Sequence, residues 1–141
     1  MPIRNASATW NGNLKEGNGN FKGSSGAIQG SYSFGTRFEN NPGTNPEELI
    51  AAAHAACFSM ALSAGLGKNG FNPQRVSTTA AVSIDKVETG FKITKIKLTT
   101  EASVPGVDSA KFQEIANATK AGCPVSGALS AVPIELEAKL V

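Results

Sequence analysis

The stretch AAAHAACFSMALSAGL, residues 51–66, decides the fold of this chain. With its neighbours it forms a run from Leu49 to Leu66 that is apolar on nearly every face of a helix. A helix of that kind is buried, and its many alanines predict that another helix packs closely against it. A single sheet covers one face only, and the chain offers one other substantial helix. The pattern therefore predicts a two-fold dimer.

Typical helix-start residues precede this run, and glycines follow it and end the helix. The start residues are Thr44 or Asn45 as the cap, Pro46 at the first helical position, and Glu47 and Glu48 in the first turn. Negative charge is favoured in that turn because the helix dipole places partial positive charge there. The run is thus bounded on both sides by local signals.

The rest of the sequence favours a single domain over 1–141 of class α+β with antiparallel sheets. In the second strand of a predicted hairpin, the alternation of apolar and polar residues slips by one near Thr94 and Lys95, which indicates a bulge. The predicted segments are N-terminal strands over 1–38, the central helix over 45–67, the hairpin over 76–104, helices over 107–130 that carry the second cysteine, and a last strand over 132–141.

The composition argues against several classes of protein. The net charge is +2 and the pI is near 8.6, with no dense basic run, so the sequence indicates no nucleic-acid partner. The opening MPIRNASATWNGNL lacks the apolar segment of a signal peptide. The run over 49–66 is too short and too rich in small residues for a membrane span, so we expect no membrane association. We expect a soluble cytoplasmic protein, and in that compartment stable structural disulfides are uncommon.

The chain has two cysteines, Cys57 inside the apolar helix and Cys123 in the segment AGCPVSGAL. They are too few for a disulfide scaffold and too far apart in sequence for a paired-cysteine metal site. With one histidine in addition they make a poor metal site, so we expect no metal. Three interpretations remain open from the residues alone: two buried apolar side chains, one structural disulfide, or a pair that cycles between thiols and a disulfide.

A reactive cysteine must be a thiolate, which requires a nearby cation or a helix N-terminus. Cys123 has the second, because Pro124 at a first helical position would place it at the cap. Cys57 lies about three turns into its helix and needs a cation. The candidates are His54, three residues earlier on the same face, and Arg37 in FGTRFEN, although either side chain could equally have no role in chemistry.

An arginine that enters an apolar interior needs a carboxylate partner, and Glu47 or Glu48 could serve Arg37. Glu47 and Cys57 are ten residues apart on one helix, which is about 15 Å along its axis. One arginine could not easily hold both within one chain. We therefore expect at least one of these groups to come from the partner subunit.

The segments RFENNPGTNPEELIAAAHAACFSMALS and KAGCPVSGAL are similar to those of the OsmC/Ohr family of thiol peroxidases. The resemblance covers nearly the whole chain, from the AxxTWNGNLKEGNG opening to the closing strand. It implies an OsmC-like α+β fold with antiparallel sheets around long central helices, and an intertwined homodimer with sites at the subunit interface. Residues 5–35 contain no arginine, which favours the OsmC branch over the Ohr branch.

The resemblance also implies an activity, the reduction of organic hydroperoxides and, less efficiently, of hydrogen peroxide. It implies Cys57 as the peroxidatic cysteine, Cys123 as the resolving cysteine, Arg37 as the activating arginine and Glu47 as its carboxylate partner. Glu48 is a rival to Glu47 that spacing does not exclude. A dithiol, of lipoyl type in this family, would restore the thiols, and the chemistry needs no metal, flavin or haem.

Other functions compete with this interpretation. A peroxide sensor would oxidise once and then need a protein partner. A small-ligand-binding dimer would use both cysteines for packing. A different thiol enzyme, such as an acyl transferase with His54 as base, gives no reason for the second cysteine.

Overall fold

The computed structural model describes residues 1–141. Contacts group the chain into two compact units, Met1–Leu49 and Ile50–Val141. The single domain predicted over 1–141 stays a prediction. In chain order the elements are β1 (Ala6–Asn11), β2 (Asn18–Gly23), β3 (Gln29–Tyr32), α1 (Phe34–Phe38), α2 (Pro46–Lys68), β4 (Arg75–Val87), β5 (Gly90–Ser103), α3 (Ser109–Gly122), α4 (Pro124–Ala128) and β6 (Ile134–Leu140).

The first unit contains a three-stranded antiparallel sheet in the order β1-β2-β3. The rings of Trp10 and Tyr32 meet on it with their centroids 5.5 Å apart. They close over Gly19, where an added Cβ would lie 2.7 Å from the Tyr32 ring and 2.8 Å from the Trp10 ring. Only glycine fits beneath these two rings, so this position fixes how the aromatic side chains pack.

The segment 34–38 forms helix α1, whereas the sequence predicted strands over the whole of 1–38. The Ser33 hydroxyl accepts a hydrogen bond from the Thr36 amide at 3.2 Å, and the Thr36 hydroxyl accepts one from the Ser33 amide at 2.9 Å. This reciprocal capping box satisfies amides that a helix start leaves unpaired. It favours a helical turn over a continued strand, and it makes Arg37 a helix residue.

Helix α2 runs from Pro46 to Lys68, close to the predicted 45–67. Asn45 is its cap, since its Oδ1 accepts a hydrogen bond from the Glu48 amide at 2.8 Å. Within the second unit, side chains four residues apart form its buried face, and Met60 on the other side is 78% exposed. The buried residues are His54, Phe58, Leu62 and Leu66, and the exposed ones beside Met60 are Ala52, Ala53, Ala56 and Ala64. One chain therefore covers one face of a helix that the sequence predicts to be covered on every side.

The length of α2 contradicts one expectation. Its 23 residues include a window of mean hydropathy 1.7, so by length and composition alone the helix could cross a membrane, and the run is not too short. The face that carries Phe58, Leu62 and Leu66 instead packs in the core of the second unit. Within the chain 22% of that window is buried, so the helix is a core element on this face only.

The second unit contains a three-stranded sheet in the order β4-β5-β6. Strands β4 and β5 form the predicted antiparallel hairpin, with a two-residue loop between Val87 and Gly90. The register shifts between Ser83 and Ile84, and Thr94 on β5 is paired with no residue of β4 in the register. The bulge that the slipped alternation predicted is therefore confirmed.

Strand β6 pairs with β5 in parallel, so the prediction of antiparallel sheets is wrong for this strand. Helices α3 and α4 lie between β5 and β6. A connection of that length carries the chain back along the sheet before the next strand begins, which is how parallel neighbours are joined. The Gln113 side chain of α3 donates a hydrogen bond to the Ala138 carbonyl of β6 at 2.7 Å, which ties the connection to the strand.

The core of the second unit forms where the sheet meets α2 and α3. The inward-facing residues of β5 alternate along the strand and have no exposed surface. They are Ile96, Leu98, Thr100 and Ala102, and they belong with Phe58 and Leu62 of α2 and Phe112 and Ala116 of α3. Cys123 is part of this cluster and Cys57 packs against it. The fold therefore places both cysteines at one edge of the core.

Candidate active site

The two cysteines lie in contact. Pro124 begins α4 with Cys123 as its cap, as the sequence predicted. Cys123 is 1% exposed, Cys57 is partly buried, and their Sγ atoms are 3.1 Å apart as free thiols. The junction of α3 and α4 thus meets α2 so that two sulfurs 66 residues apart in sequence could form a bond after a small movement.

Several groups favour negative charge on Cys123. Burial raises the pKa of the Cys123 thiol, but the Ser126 amide, the Cys57 thiol, the Ser126 hydroxyl and the Val125 amide together lower it by more, so the net pKa lies below the ordinary value. The sulfur makes no side-chain capping hydrogen bond to its helix. The stabilisation therefore comes from several partial interactions at the start of α4.

The opposite holds for Cys57. Burial raises the pKa of this thiol, its hydrogen bond to Cys123 and the charge of that sulfur raise it further, and the Val125 amide lowers it only in part. Within one chain the pair therefore places its negative charge on Cys123. Cys57 as the attacking thiolate requires a further cation.

Arg37 and Glu47 form an ion pair inside the first unit. Nε of Arg37 donates to both oxygens of Glu47, at 3.1 and 3.3 Å, and Nη2 donates to Oε1 at 2.9 Å. The Glu47 side chain is 7% exposed and that of Arg37 is 35% exposed. Glu48 is exposed and makes no ion pair, so the structure distinguishes the two rivals that spacing left open. The arrangement leaves Nη1 of Arg37 without a hydrogen-bond partner.

A cavity of about 400 Å³ opens beside Arg37 in the first unit. Its lining is mostly aromatic and apolar, and the Phe34 and Phe38 rings meet there with centroids 5.1 Å apart. The lining residues are Trp10, Gly12, Leu14, Tyr32, Ser33, Phe34, Arg37 and Phe38. A cavity of this kind suits a small apolar group with one oxygen-bearing end directed at the guanidinium.

His54 does not provide the cation that the sequence considered for Cys57. Its side chain has no exposed surface, and burial lowers its pKa, so it is neutral at physiological pH. Its Nε2 lies 2.7 Å from the Ser126 hydroxyl of α4. A neutral imidazole lowers no thiol pKa by charge.

Sequence reasoning missed Ser126 and Val125, which flank the sulfur pair. A local signal was present, because Ser126 is the third residue after the cap and groups at that position point back to the cap. The residues described contain no group of three or more His, Cys, Asp or Glu side chains that could hold a metal.

Known sequences resemble this chain closely. A family model described as OsmC-like protein matches residues 38–137. Peroxiredoxin OsmC of Escherichia coli is 57% identical over 125 residues, which cover 88% of this chain and 87% of that protein. The Organic hydroperoxide resistance protein OhrB of Bacillus subtilis is 34% identical over 103 residues, 72% of this chain and 74% of that protein.

Solved structures share the fold. The crystal structure of OhrB from Bacillus subtilis superposes with a TM-score of 0.71 at 27% identity, over 97% of this chain and 98% of that chain. An OsmC-like protein from Vibrio cholerae, at 15% identity, has a TM-score of 0.75, which shows the fold alone. The α+β fold class and the family resemblance are thereby confirmed, and the chain belongs to the OsmC family.

Proposed function

We propose that this chain is a cysteine-based peroxidase that reduces organic hydroperoxides, and hydrogen peroxide less efficiently. The observation that carries the proposal is the 3.1 Å separation of the Cys57 and Cys123 sulfurs, which a peroxidase needs in order to trap its oxidised cysteine. The names of its relatives, peroxiredoxin and organic hydroperoxide resistance protein, support the substrate class.

The reaction has two oxidative steps in this chain. The Cys57 thiolate attacks the terminal oxygen of the hydroperoxide, the O–O bond breaks, and the alkoxide takes a proton and leaves as an alcohol. Cys57 is then a sulfenic acid. The Cys123 sulfur attacks the Cys57 sulfur, the S–O bond breaks, and water leaves as the disulfide forms.

An external dithiol, of lipoyl type, reduces the disulfide by two successive exchanges and is itself oxidised to a disulfide. Cys123 is 1% exposed whereas Cys57 is only partly buried, so the first exchange is expected at the Cys57 sulfur. A dithiol suits this step, because its second thiol lies ready to displace the mixed disulfide.

Arg37 supplies the charge that Cys57 lacks within one chain. Its guanidinium keeps its charge at any physiological pH, and the free Nη1 can face a thiolate or a peroxide oxygen. Glu47 is a positioning residue, because its two oxygens fix the guanidinium and offset its charge. The apolar cavity beside Arg37 is proposed to hold the organic part of the substrate.

The two pairs act together in a homodimer, in which Arg37 and Glu47 of one protomer serve Cys57 and Cys123 of its partner. The exposed alanine-rich face of α2, with Met60 at its centre, supports this assembly because a helix of such composition is otherwise covered. The isolated-chain preference for charge on Cys123 supports it as well, since that preference leaves Cys57 in need of a cation from elsewhere.

We also propose a cytoplasmic location. The proposed cycle needs the oxidised sulfur pair to be returned to thiols, and cytosolic reductants keep such pairs reduced.

Counting free thiols tests the function. One equivalent of an organic hydroperoxide should consume both thiols of each chain and yield the Cys57–Cys123 disulfide. Added dithiol should then allow excess hydroperoxide to be consumed, which separates a peroxidase from a sensor. Cys57→Ser should abolish turnover, and Cys123→Ser should leave a sulfenic acid that overoxidises. Full peroxidase activity in Cys57→Ser would overturn the proposal.

A further inference from the structure

The peroxidase cycle proposed above makes no use of His54, the only histidine of the chain. This residue lies on α2 one turn before Cys57, and its ring has no exposed surface. Nε2 lies 2.7 Å from the hydroxyl oxygen of Ser126, which is itself 2% exposed, and Nδ1 is buried without any hydrogen-bond partner. A buried polar side chain satisfied at one end only is uncommon and calls for an explanation.

The missing partner at Nδ1 identifies the tautomer. A neutral imidazole carries one N–H, and a buried N–H without an acceptor is rarer in proteins than a buried acceptor without a donor. The unpartnered Nδ1 thus favours the tautomer with the proton on Nε2, in which Nε2 donates to the Ser126 hydroxyl oxygen. Because that oxygen now accepts from His54, the hydroxyl proton of Ser126 is free to be donated to another group.

The Cys123 sulfur, in the same turn, is the candidate to receive it. Cys123 caps α4 and Ser126 is the third residue of that helix, so both lie in one turn. The hydroxyl and the amide of Ser126 both favour the anionic form of this sulfur. We propose that His54 and Ser126 form a buried hydrogen-bonded chain that holds Cys123 as the attacking thiolate when the disulfide forms, which makes His54 a positioning residue for the second oxidative step.

The role rests on the proposed peroxidase cycle and belongs to a single point in it. Once Cys57 is a sulfenic acid, the thiol of Cys123 releases its proton and its anionic sulfur attacks the Cys57 sulfur. The S–S bond forms, the S–O bond breaks, and the departing hydroxide takes up one proton to leave as water. His54 and Ser126 exchange no proton with these groups; they stabilise the anion on Cys123 and direct the Ser126 O–H at it.

The test measures the two oxidative steps separately. Protein is mixed with one equivalent of tert-butyl hydroperoxide and quenched at successive times, and mass spectrometry counts the sulfenic acid, trapped by a carbon nucleophile, and the disulfide. In His54→Leu, which removes the N–H at similar volume, the disulfide should form roughly tenfold more slowly while the sulfenic acid forms at the wild-type rate.

Three further variants separate positioning from packing. His54→Gln keeps an N–H donor at the reach of Nε2 and should restore most of the rate of disulfide formation. Ser126→Ala should slow that step as His54→Leu does, and the double variant should be no slower than either single one. Thr100→Val removes a buried hydroxyl of β5 whose hydrogen bonds reach Thr78 and Ser77 and not His54 or Ser126, and it should destabilise the fold without changing the ratio of the two rates.

The outcomes distinguish failure of the His54 role from failure of the peroxidase function on which it rests. If wild-type protein forms no sulfenic acid and no disulfide, the peroxidase proposal fails and the role of His54 fails with it. If wild type completes both steps but His54→Leu forms the disulfide at an unchanged rate, His54 has no positioning role and the peroxidase stands. The role is likewise overturned if His54→Leu slows both steps equally, as a packing defect would.

Discussion

At the scale of single residues, a thiol that attacks a peroxide must be ionised, and Cys57 is the attacking thiol of the proposed cycle. Within one chain the surroundings instead favour the anionic form of Cys123. Burial raises the pKa of Cys57, the Ser126 amide lowers that of Cys123, and the short contact between the two sulfurs adds to both shifts. This polarity suits the second oxidative step, in which Cys123 attacks. The first step needs the charge on Cys57, so a cation must reverse the preference before the substrate arrives.

Glu47→Gln tests how that cation is held. The change keeps the shape of the side chain but removes the charge that fixes Nε and Nη2 of Arg37. We expect the pKa of Cys57 to rise, so that hydroperoxide reacts roughly tenfold more slowly at pH 7. The pH profile of Cys57 alkylation in a Cys123→Ser background measures the shift. Glu48→Gln is the matched control, and an equal effect in both variants would remove Glu47 from the site.

His54 makes the stability of the fold depend on pH. Its pKa is lowered by burial, so the unfolded chain binds a proton near pH 6.5 while the folded chain does not. The free energy of unfolding should therefore be highest above about pH 6.5. It should fall as the pH drops toward the pKa of His54 in the folded chain, by at most about 1.4 kcal/mol per pH unit.

Urea unfolding between pH 7.5 and 5.5 measures this dependence. In His54→Gln the decline should flatten in that window, because no other histidine is present to take up a proton. A decline of equal slope in both proteins would show that His54 is not responsible.

At the scale of elements, the start of α2 affects both the stability of the fold and the position of Arg37. Asn45 caps the helix through the Glu48 amide, and its Nδ2 donates to the Thr36 carbonyl of α1 at 2.9 Å, next to Arg37. One side chain thus holds both elements that carry the ion pair.

Asn45→Ala should lower the free energy of unfolding by about 1 kcal/mol, and it should also raise the pKa of Cys57 by releasing α1. Asp108→Ala is the matched control, because Asp108 caps α3 through the Lys111 amide at 2.8 Å but contacts no site residue. It should cost a similar amount in chemical denaturation and leave the alkylation profile unchanged. A normal profile in Asn45→Ala would show that the cap serves stability only.

The elements that the sequence predicted well are those with local signals. Asn45 and Pro46 mark the start of α2, and the slipped alternation marks the bulge at Thr94. The helix α1 was missed because its capping box uses threonine at the third position, where glutamate or glutamine is the usual indication. The parallel direction of β6 was missed because it depends on the path of α3 and α4 across the sheet, which no local pattern contains.

The candidate site likewise contains some features that have a local sequence signal and others that depend on tertiary contacts. Cys123 at the cap of α4 follows from Pro124. The contact between the two sulfurs joins residues 66 apart, and the His54–Ser126 bond joins residues 72 apart. Such contacts depend on tertiary packing, so residue patterns left the pairing of the cysteines open. The family resemblance implied the pairing, but it gave no indication of Ser126.

At the scale of the whole molecule, each chain holds the two halves of the proposed site in different units. Arg37 and Glu47 pair within Met1–Leu49, and Cys57 and Cys123 meet within Ile50–Val141. In the proposed dimer, a second copy binds the exposed apolar face of α2 around Met60 and brings its guanidinium to Cys57.

Mixed dimers test whether the arginine acts across the interface. Arg37→Ala and Cys57→Ser are each expected to be inactive as homodimers. When the two are unfolded together and refolded in equal amounts, half of the dimers are mixed, and one of the two sites in each combines Cys57 of one protomer with Arg37 of its partner. Fast disulfide formation should then return to roughly a quarter of the wild-type amplitude.

Cys57→Ser mixed with Cys123→Ser is the control and should regain no disulfide between residues 57 and 123, since both sulfurs must belong to one chain. If tagged chains show that mixed dimers form, yet the first mixture reacts no faster than Arg37→Ala alone, then Arg37 does not serve the Cys57 of its partner.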